Sequence, residues 1–165
     1  MEPERHTRLL SWRTVLFRAL AILAALCLGW LLYMVAWIMM PYAGFEALIL
    51  QPFVAAIISV LFVGTACVLG LLLWIPFLRR IWTWCFLPAF CLLIGSLLLL
   101  ALGSLMGITT TYTDPETGLQ FEGLHWLAGL AGYSSALFAV ANWPCPGWLL
   151  PKSSDEDTTL VSVPE

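Results

Sequence analysis

The chain has 165 residues, of which 61% are hydrophobic and 10% charged, and its net charge at pH 7 is −3. A soluble domain carries about a quarter charged residues because its surface must remain hydrated. This composition excludes an ordinary soluble domain and predicts an outer surface that faces lipid. The net charge says little on its own, because the charges are segregated along the chain. Nucleic acid is not expected among the partners.

The first apolar run, residues 19–40, follows a basic N-terminal segment, residues 1–18, which is expected to be cytosolic. The run contains no charged residue and reaches the length of about 20 residues that a helix needs to cross hydrocarbon. It is longer than the apolar region of a signal peptide, which spans about 7–15 residues. We therefore expect an uncleaved anchor helix.

The second and third apolar runs cover residues 53–77 and 82–107, with a short link between them that contains two adjacent arginines. Because the link is short, it predicts a tight antiparallel helical hairpin. Pro76 is expected to end or kink the second helix, and Pro88 to bend the third, since proline removes a backbone donor and clashes with the preceding turn.

The segment between the third and fourth runs, ITTTYTDPETGLQFEG, has β-branched and aromatic residues on both sides of turn residues at Asp114–Gly118. This pattern predicts a β-hairpin. The fourth run, residues 124–143, is the weakest because it is rich in Gly, Ala and Ser. Residues 144–165 are polar and acidic without periodicity, which is typical of a disordered tail.

The predicted fold is an all-α membrane protein, a four-helix transmembrane bundle over residues 19–143 with a small external β-hairpin between helices three and four. An even number of spans places both termini on one side. That side would hold all seven basic residues: Arg5, Arg8, Arg13, Arg18, Arg79, Arg80 and Lys152. The other side would hold only acidic ones: Glu46, Asp114, Glu116 and Glu122. Since Lys and Arg are retained in the cytosol, both termini are predicted to be cytosolic, in a plasma or bacterial inner membrane, with an endomembrane as the alternative.

Small residues recur at four-residue spacing in the runs, a pattern that lets helix backbones approach closely in lipid. The predicted helix-packing residues are Ala25, Gly29, Ala66, Gly70, Gly103, Gly107, Ala128, Gly132 and Ala136. Packing within one bundle is the favoured interpretation, and docking onto a membrane-protein partner or a second copy is the alternative. The fourth run, with the most small residues, is the surface expected to contact such a partner.

Little in the sequence indicates chemistry. No run carries an ionisable residue at its centre, where ion and proton transporters usually have one. No catalytic residue or cofactor is predicted. Glu122 and His125 have E-x-x-H spacing, which on a helix would put both side chains on one face. A single such pair is only a weak metal candidate, so no metal is expected.

The five cysteines lack C-x-x-C spacing, which argues against a zinc or dithiol site. Small apolar packing residues are the favoured interpretation, and lipidation of Cys85 or Cys145 remains an alternative. The polar residues noted within the runs are hydroxyl-bearing: Ser59, Thr65, Ser96, Ser104, Ser134 and Ser135. Hydrogen bonding between helices or to their own backbone is their expected role.

The favoured function is a non-enzymatic accessory, assembly or scaffold protein that acts through helix–helix contacts, with lipid and a membrane protein as partners. The alternative is a transporter or channel component for a neutral or lipidic solute, which requires Ser59, Thr65, Ser96 and Ser134 to face one cavity. An enzyme that uses Glu122 and His125 at the outer surface is the least favoured hypothesis.

Overall fold

The computed structural model describes residues 12–38, 47–84, 86–113 and 118–145, and these residues are mostly helical. The described elements, in chain order, are α1 (Trp12–Ile38), α2 (Ala47–Gly70), a short 3-10 helix (Leu71–Trp74), α3 (Pro76–Trp84), α4 (Leu87–Leu102), β1 (Thr109–Thr113), β2 (Gln120–Leu124) and α5 (Trp126–Ala141). Most of the basic N-terminal segment and of the acidic tail lies outside the described residues.

Helices α1 and α2 are each long and apolar enough to cross a membrane. The mean hydropathy is 2.3 for α1 and 2.6 for Ile49–Leu73, which covers most of α2 and part of the 3-10 helix. Their 27 and 24 residues correspond to about 40 and 36 Å of helix, more than the roughly 30 Å of a bilayer's hydrocarbon core. Only 17% of the apolar window in each is buried against protein. Most of their side chains therefore face outward, as expected of a membrane-associated protein.

The third predicted run is divided in the structure. Helices α3 and α4 meet at a bend of 72°, and they count as a third candidate span only if the bent pair is taken together. The link that the sequence predicted as a tight turn is the helix α3 itself. Pro88 lies in the first turn of α4, where a helix loses nothing from the missing N–H. It therefore begins a new helix and does not merely bend a continuous one.

Helix α5 has 16 residues, about 24 Å of helix, and so falls short of the usual spanning length. The described residues thus contain two candidate spans, or three if the bent pair counts as one. This is fewer than the four predicted. The difference arises because the predicted third and fourth runs included residues that the structure places in α3, in turns and in the hairpin.

The predicted β-hairpin is confirmed. Strands β1 and β2 pair antiparallel, with Tyr112 opposite Phe121 and Thr111 opposite Glu122. The rings of Tyr112 and Phe121 are stacked with their centroids 5.8 Å apart, and the Tyr112 hydroxyl donates to the Leu124 carbonyl at 2.8 Å. Gly118 precedes β2 with φ of +67°, a backbone conformation that glycine adopts without a Cβ penalty.

The helices pack around α5. Its neighbours on one side are α1 and α2, and α4 runs along another side with at most marginal contact to α1 and α2. The core between α1, α2 and α5 consists mainly of small residues: Ala25, Val63, Ala66, Leu137 and Ala141. Leu137 is the one large apolar side chain among the described residues that is completely buried. The bundle is thus held by close approach of backbones.

The strand register can be tested by cysteine cross-linking. Thr111 and Glu122 are both exposed and directly opposite each other, and opposite Cβ atoms lie about 4.5–5.5 Å apart. In a chain whose native cysteines are replaced by alanine, T111C/E122C is expected to oxidise readily to a disulfide. The control T111C/Q120C pairs residues two positions out of register and should oxidise much more slowly. Equal oxidation of the two variants, measured by gel shift, would contradict this register.

Candidate functional site: the helix interface around α5

The buried face of α5 is built from very small side chains. Gly132, Ala136 and Ala139 are buried together with Leu137. A Cβ added at Gly132 would lie 2.9 Å from the Leu100 side chain and 3.3 Å from the Ser96 carbonyl, so α4 approaches α5 closely at this point. Such proximity increases dispersion contacts between helices, one of the forces that associates them in lipid.

A hydroxyl cluster joins three helices near the middle of α5. The Tyr133 hydroxyl lies 3.2 Å from both the Gly29 carbonyl on α1 and the Ser59 hydroxyl on α2. Ser59 in turn donates to the Ala55 carbonyl at 2.6 Å. Since each hydroxyl has one hydrogen, Tyr133 donates either to Gly29 or to Ser59. Gly29 is needed here because an added Cβ would lie 3.0 Å from both hydroxyl oxygens.

A second polar group, the side-chain amide of Asn142, fastens the end of α5 to α2. Asn142 is only 8% exposed. Its Nδ2 donates to the Ala66 carbonyl at 2.9 Å and to the Phe138 carbonyl at 3.2 Å. Gly70 leaves room for this amide, because an added Cβ would overlap the Asn142 oxygen. We call the contact of Asn142 with Ala66 and Gly70 the amide latch.

The backbone just after α5 receives two further hydrogen bonds. The Trp82 indole Nε1 on α3 donates to the Asn142 carbonyl at 2.8 Å, and the Trp82 ring meets Phe138 edge-on at 5.5 Å. The Arg18 guanidinium on α1 donates to the Trp143 carbonyl at 3.4 Å. The beginning of α1, helix α3 and the end of α5 therefore lie together at one end of the molecule.

Two more hydrogen bonds join α1 to α2 towards the other end of α1. The Tyr33 hydroxyl donates to Gln51 Oε1 at 3.0 Å, and the Trp30 indole donates to the Pro52 carbonyl at 3.1 Å. Among the described residues, every buried side-chain nitrogen or oxygen has a hydrogen-bond partner. This matters in an apolar environment, where an unsatisfied polar group is costly.

The predicted packing residues fall into two groups. Most lie in helix interfaces: Ala25, Gly29, Ala66, Gly132 and Ala136 are buried, and Gly70 and Ala128 are half-buried. Gly103 is buried just after α4, against the Leu124 side chain. Gly107 differs, since it is an exposed turn residue with φ of +79° and nothing within 4 Å of an added Cβ. The row predicted at Gly103 and Gly107 therefore lies beyond the end of α4.

The four hydroxyls required by the transport alternative bond to their own helices. Thr65 donates to Leu61, Ser96 to Leu93 and Ser134 to Ala131, at 2.8, 2.8 and 3.2 Å, and Ser59 donates to Ala55 as above. Thr65 and Ser134 line a small cavity between α2 and α5, whereas Ser59 lines a groove between α1 and α2. The structure does not bring the four into one cavity.

The expectation that Glu122 and His125 share a helical face is wrong. Glu122 is an exposed residue of β2, paired with Thr111, and His125 is the N-cap of α5, where its ring nitrogen accepts from the Leu127 N–H at 3.3 Å. The E-x-x-H spacing crosses the strand–helix boundary, so helical periodicity does not apply. The described residues contain no cluster of three or more His, Cys, Asp or Glu side chains able to hold a metal ion.

Sequence reasoning missed the three residues that contribute most polar contacts to the interface, namely Tyr133, Asn142 and Trp82. Tyr133 and Trp82 lie in apolar runs where aromatic residues are ordinary, and Asn142 stands at the end of the fourth run, where an amide is ordinary. A usable signal was that Asn142 is the one amide within that run.

The candidate spans and the hydrogen-bonded helix interface define a helical membrane-associated protein. Comparisons with protein-family models, curated proteins and solved structures give no match for this chain.

Replacement of Gly70 by alanine is expected to destabilise the folded chain by about 1–3 kcal/mol, because the new methyl group displaces the Asn142 amide from the Ala66 carbonyl. Gly64→Ala, on the same helix with nothing within 4 Å of the added Cβ, is the matched control. It should be neutral or stabilising by up to about 1 kcal/mol. Thermal unfolding in mild detergent measures both. Equal midpoints for the two variants would show that the amide latch contributes nothing.

Proposed function

We propose that this chain is a four-span membrane protein with both termini in the cytosol, and that it works as a non-enzymatic accessory, assembly or scaffold component through helix–helix contacts. The observation that carries the proposal is the use of the interior polar groups. Tyr133 and Asn142 hydrogen-bond to other helices, and Trp82 donates to the carbonyl of the residue that follows α5. Four serine and threonine hydroxyls within the helices donate to the backbone of their own helices, namely those of Ser59, Thr65, Ser96 and Ser134. The side chains of Tyr133, Asn142 and Trp82 therefore hold the helices together.

Three observations support the topology. The hydrogen bond from Arg18 to the Trp143 carbonyl puts the start of α1 beside the end of α5, as an even number of crossings requires. The hairpin leads directly into α5 from the other end, because His125 follows β2 and caps the helix. Helices α4 and α5 also pack side by side along their lengths, as two adjacent crossings joined by a hairpin would.

The charges of the described residues support the orientation. Arg13, Arg18, Arg79 and Arg80 belong to α1 and α3 near the end of α5, and Glu122 belongs to the hairpin at the opposite end. A basic end is retained on the cytosolic side of a membrane. The hairpin is accordingly proposed as the external part of the molecule, available to a partner outside the cytosol.

The proposed role also rests on apolar faces that no other described part of the chain covers. On α2 the outward residues Phe53, Ile57 and Leu61 are exposed, and on α4 Phe90 and Leu98 are exposed. Lipid can cover part of these apolar faces. Because α4 has α5 as its main neighbour, its outward face leaves the most helix surface for a membrane-protein partner or a second copy of the chain.

One observation favours a second candidate role, the handling of a lipidic solute. An open groove of about 520 Å³ lies between α1 and α2. Its walls are almost wholly apolar, with Leu26, Trp30 and Val60 among the lining residues. An acyl chain matches such a wall chemically. The groove opens sideways to the surroundings of the helices, as a lipid-accessible site would.

Accessibility of single cysteines tests the proposed topology. In a chain without native cysteines, T111C in the hairpin should react with a membrane-impermeant maleimide on intact cells or spheroplasts. S154C, near the C-terminus, should react only after permeabilisation. A variant with cysteine at Ala25, which is fully buried, controls for non-specific labelling. Labelling of S154C from outside, or protection of T111C, would overturn the topology.

Site-specific photo-cross-linking in the native membrane tests the proposed role. A photoreactive residue at Ile94 or Leu98 on α4 is expected to form an adduct with a protein, and one at Ile57 on α2 serves as the comparison face. Adducts with lipid alone at all three positions, together with a monomeric mass in mild detergent, would contradict a scaffold role. Ala56→Trp fills the groove, so it should leave protein adducts intact. Their loss in that variant would favour the second role.

A further inference from the structure

Helix α3, which lies between α2 and α4 in the chain, is amphipathic and carries two arginines. At about 100° per residue, Arg79 and Arg80 fall on one side, and Phe77, Leu78 and Ile81 fall on the other. Both arginines are exposed, yet so is the apolar side, with Phe77 71% and Ile81 48% exposed. A helix that exposes both a charged and an apolar side is suited to the boundary between water and hydrocarbon.

The angle of α3 agrees with that location. Helix α3 makes a 72° bend with α4, so if α4 crosses the membrane, α3 lies close to the membrane plane. Trp82 fixes it there through its hydrogen bond to the Asn142 carbonyl and its edge contact with Phe138. Indole rings favour the headgroup level, where one edge is apolar and the N–H finds a partner.

The arginines of α1 lie at the same end. Arg18 donates to the Trp143 carbonyl, next in sequence to the carbonyl that accepts from Trp82. Consecutive Cα atoms are about 3.8 Å apart, so α1 and α3 converge on one short segment. Arg13 is exposed on α1, about 7.5 Å further along the helix axis.

We propose that Arg13, Arg18, Arg79 and Arg80, here called the basic surface, bind the phosphate groups of anionic phospholipids in the leaflet where α3 lies. The proposal rests on the membrane topology given under the proposed function. A soluble polyanion would bind the arginines but leave the side chains of Phe77 and Ile81 in water. An anionic lipid satisfies both sides of α3, because its phosphate meets the guanidinium groups while its acyl region covers the apolar side.

Zwitterionic lipid lacks the net charge that attracts the basic surface. Each arginine near an anionic leaflet contributes about a fivefold preference, so removal of two should cost about fivefold to 25-fold in affinity for an anionic lipid.

The geometry further indicates that the two helices act together, because Arg18 and Trp82 bind adjacent carbonyls and hold α1 and α3 at a fixed separation.

Native mass spectrometry of the full chain in mild detergent, titrated with phosphatidylglycerol or phosphatidylcholine, tests the proposal. R79Q/R80Q and R13Q/R18Q are each expected to weaken phosphatidylglycerol binding at least fivefold and to leave phosphatidylcholine binding unchanged. R79K/R80K keeps the charge and should retain most of the binding. Glu122→Gln, at the opposite end, is the neutral control. Unchanged phosphatidylglycerol binding in the variant lacking all four arginines would overturn the proposal, as would an equal loss for both lipids.

The apolar side of α3 distinguishes lipid from a soluble polyanion. F77S/I81S keeps every arginine and should still weaken phosphatidylglycerol binding severalfold, whereas a short oligonucleotide used as a probe should bind weakly to all variants. Unaltered lipid binding in F77S/I81S with tight oligonucleotide binding to the parent chain would assign the surface to a soluble polyanion instead. Cysteine labelling separates the two proposals: a correct topology without lipid preference refutes only this inference, and a wrong topology refutes the proposed function.

Discussion

Close approach of helix backbones at α5 is the constraint on which the rest of the bundle depends. In hydrocarbon, apolar side chains gain little by leaving lipid for protein, so helices associate through dense packing and hydrogen bonds. Gly132 and Ala136 permit that packing on α5, and Gly29 and Ala25 permit it on α1. Larger residues at these positions would separate the helices and pull apart the hydrogen bonds that cross between them. The fourth apolar run, the least lipid-like of the four, is therefore the central helix of the bundle.

The polar contacts add direction to this packing. Tyr133 reaches α1 and α2, and Asn142 reaches α2 across the space that Gly70 leaves open. A hydrogen bond fixes the relative positions of its donor and acceptor, whereas apolar side chains can slide past one another and stay in contact. A small number of hydrogen bonds can therefore specify the rotation of α5 against its neighbours. Trp82 of α3 and Arg18 of α1 hydrogen-bond to the carbonyls of Asn142 and Trp143, at the same end of α5. The packing inside the bundle and the arrangement of its basic end therefore depend on one short segment.

Local features of the sequence were sufficient for the hairpin. Its β-branched residues and the turn-favouring residues between them are local signals, and the strands are found where the pattern placed them. Helix α3 could not be separated from its neighbours, because hydropathy sums apolar residues without reporting a change of direction. The E-x-x-H motif failed for a related reason: residue spacing has a geometric meaning only inside one regular element, and Glu122 and His125 belong to two.

The candidate interface was predictable in part. Small residues at four-residue spacing indicate where backbones can meet, and Ala25, Gly29 and Gly132 do lie at buried positions. Spacing does not report which helix lies opposite, and that requires the fold. Tyr133 and Asn142 act over separations of 104 and 76 residues from their partners Gly29 and Ala66. No local pattern carries such information.

The unequal helix lengths have a consequence for the surrounding membrane. Helices α1 and α2 have 27 and 24 residues, but α4 and α5 have 16 each. In the proposed topology Arg18 lies at the headgroup level, so the apolar part of α1 covers residues 19–38. Lipid beside α4 then meets an apolar wall some 6–12 Å shorter than the wall beside α1 and α2. A bilayer adapts to a short wall by thinning and to a long one by thickening or by helix tilt. The protein would then sit in a thickness gradient, with short-chain lipids gathered on its α4 side.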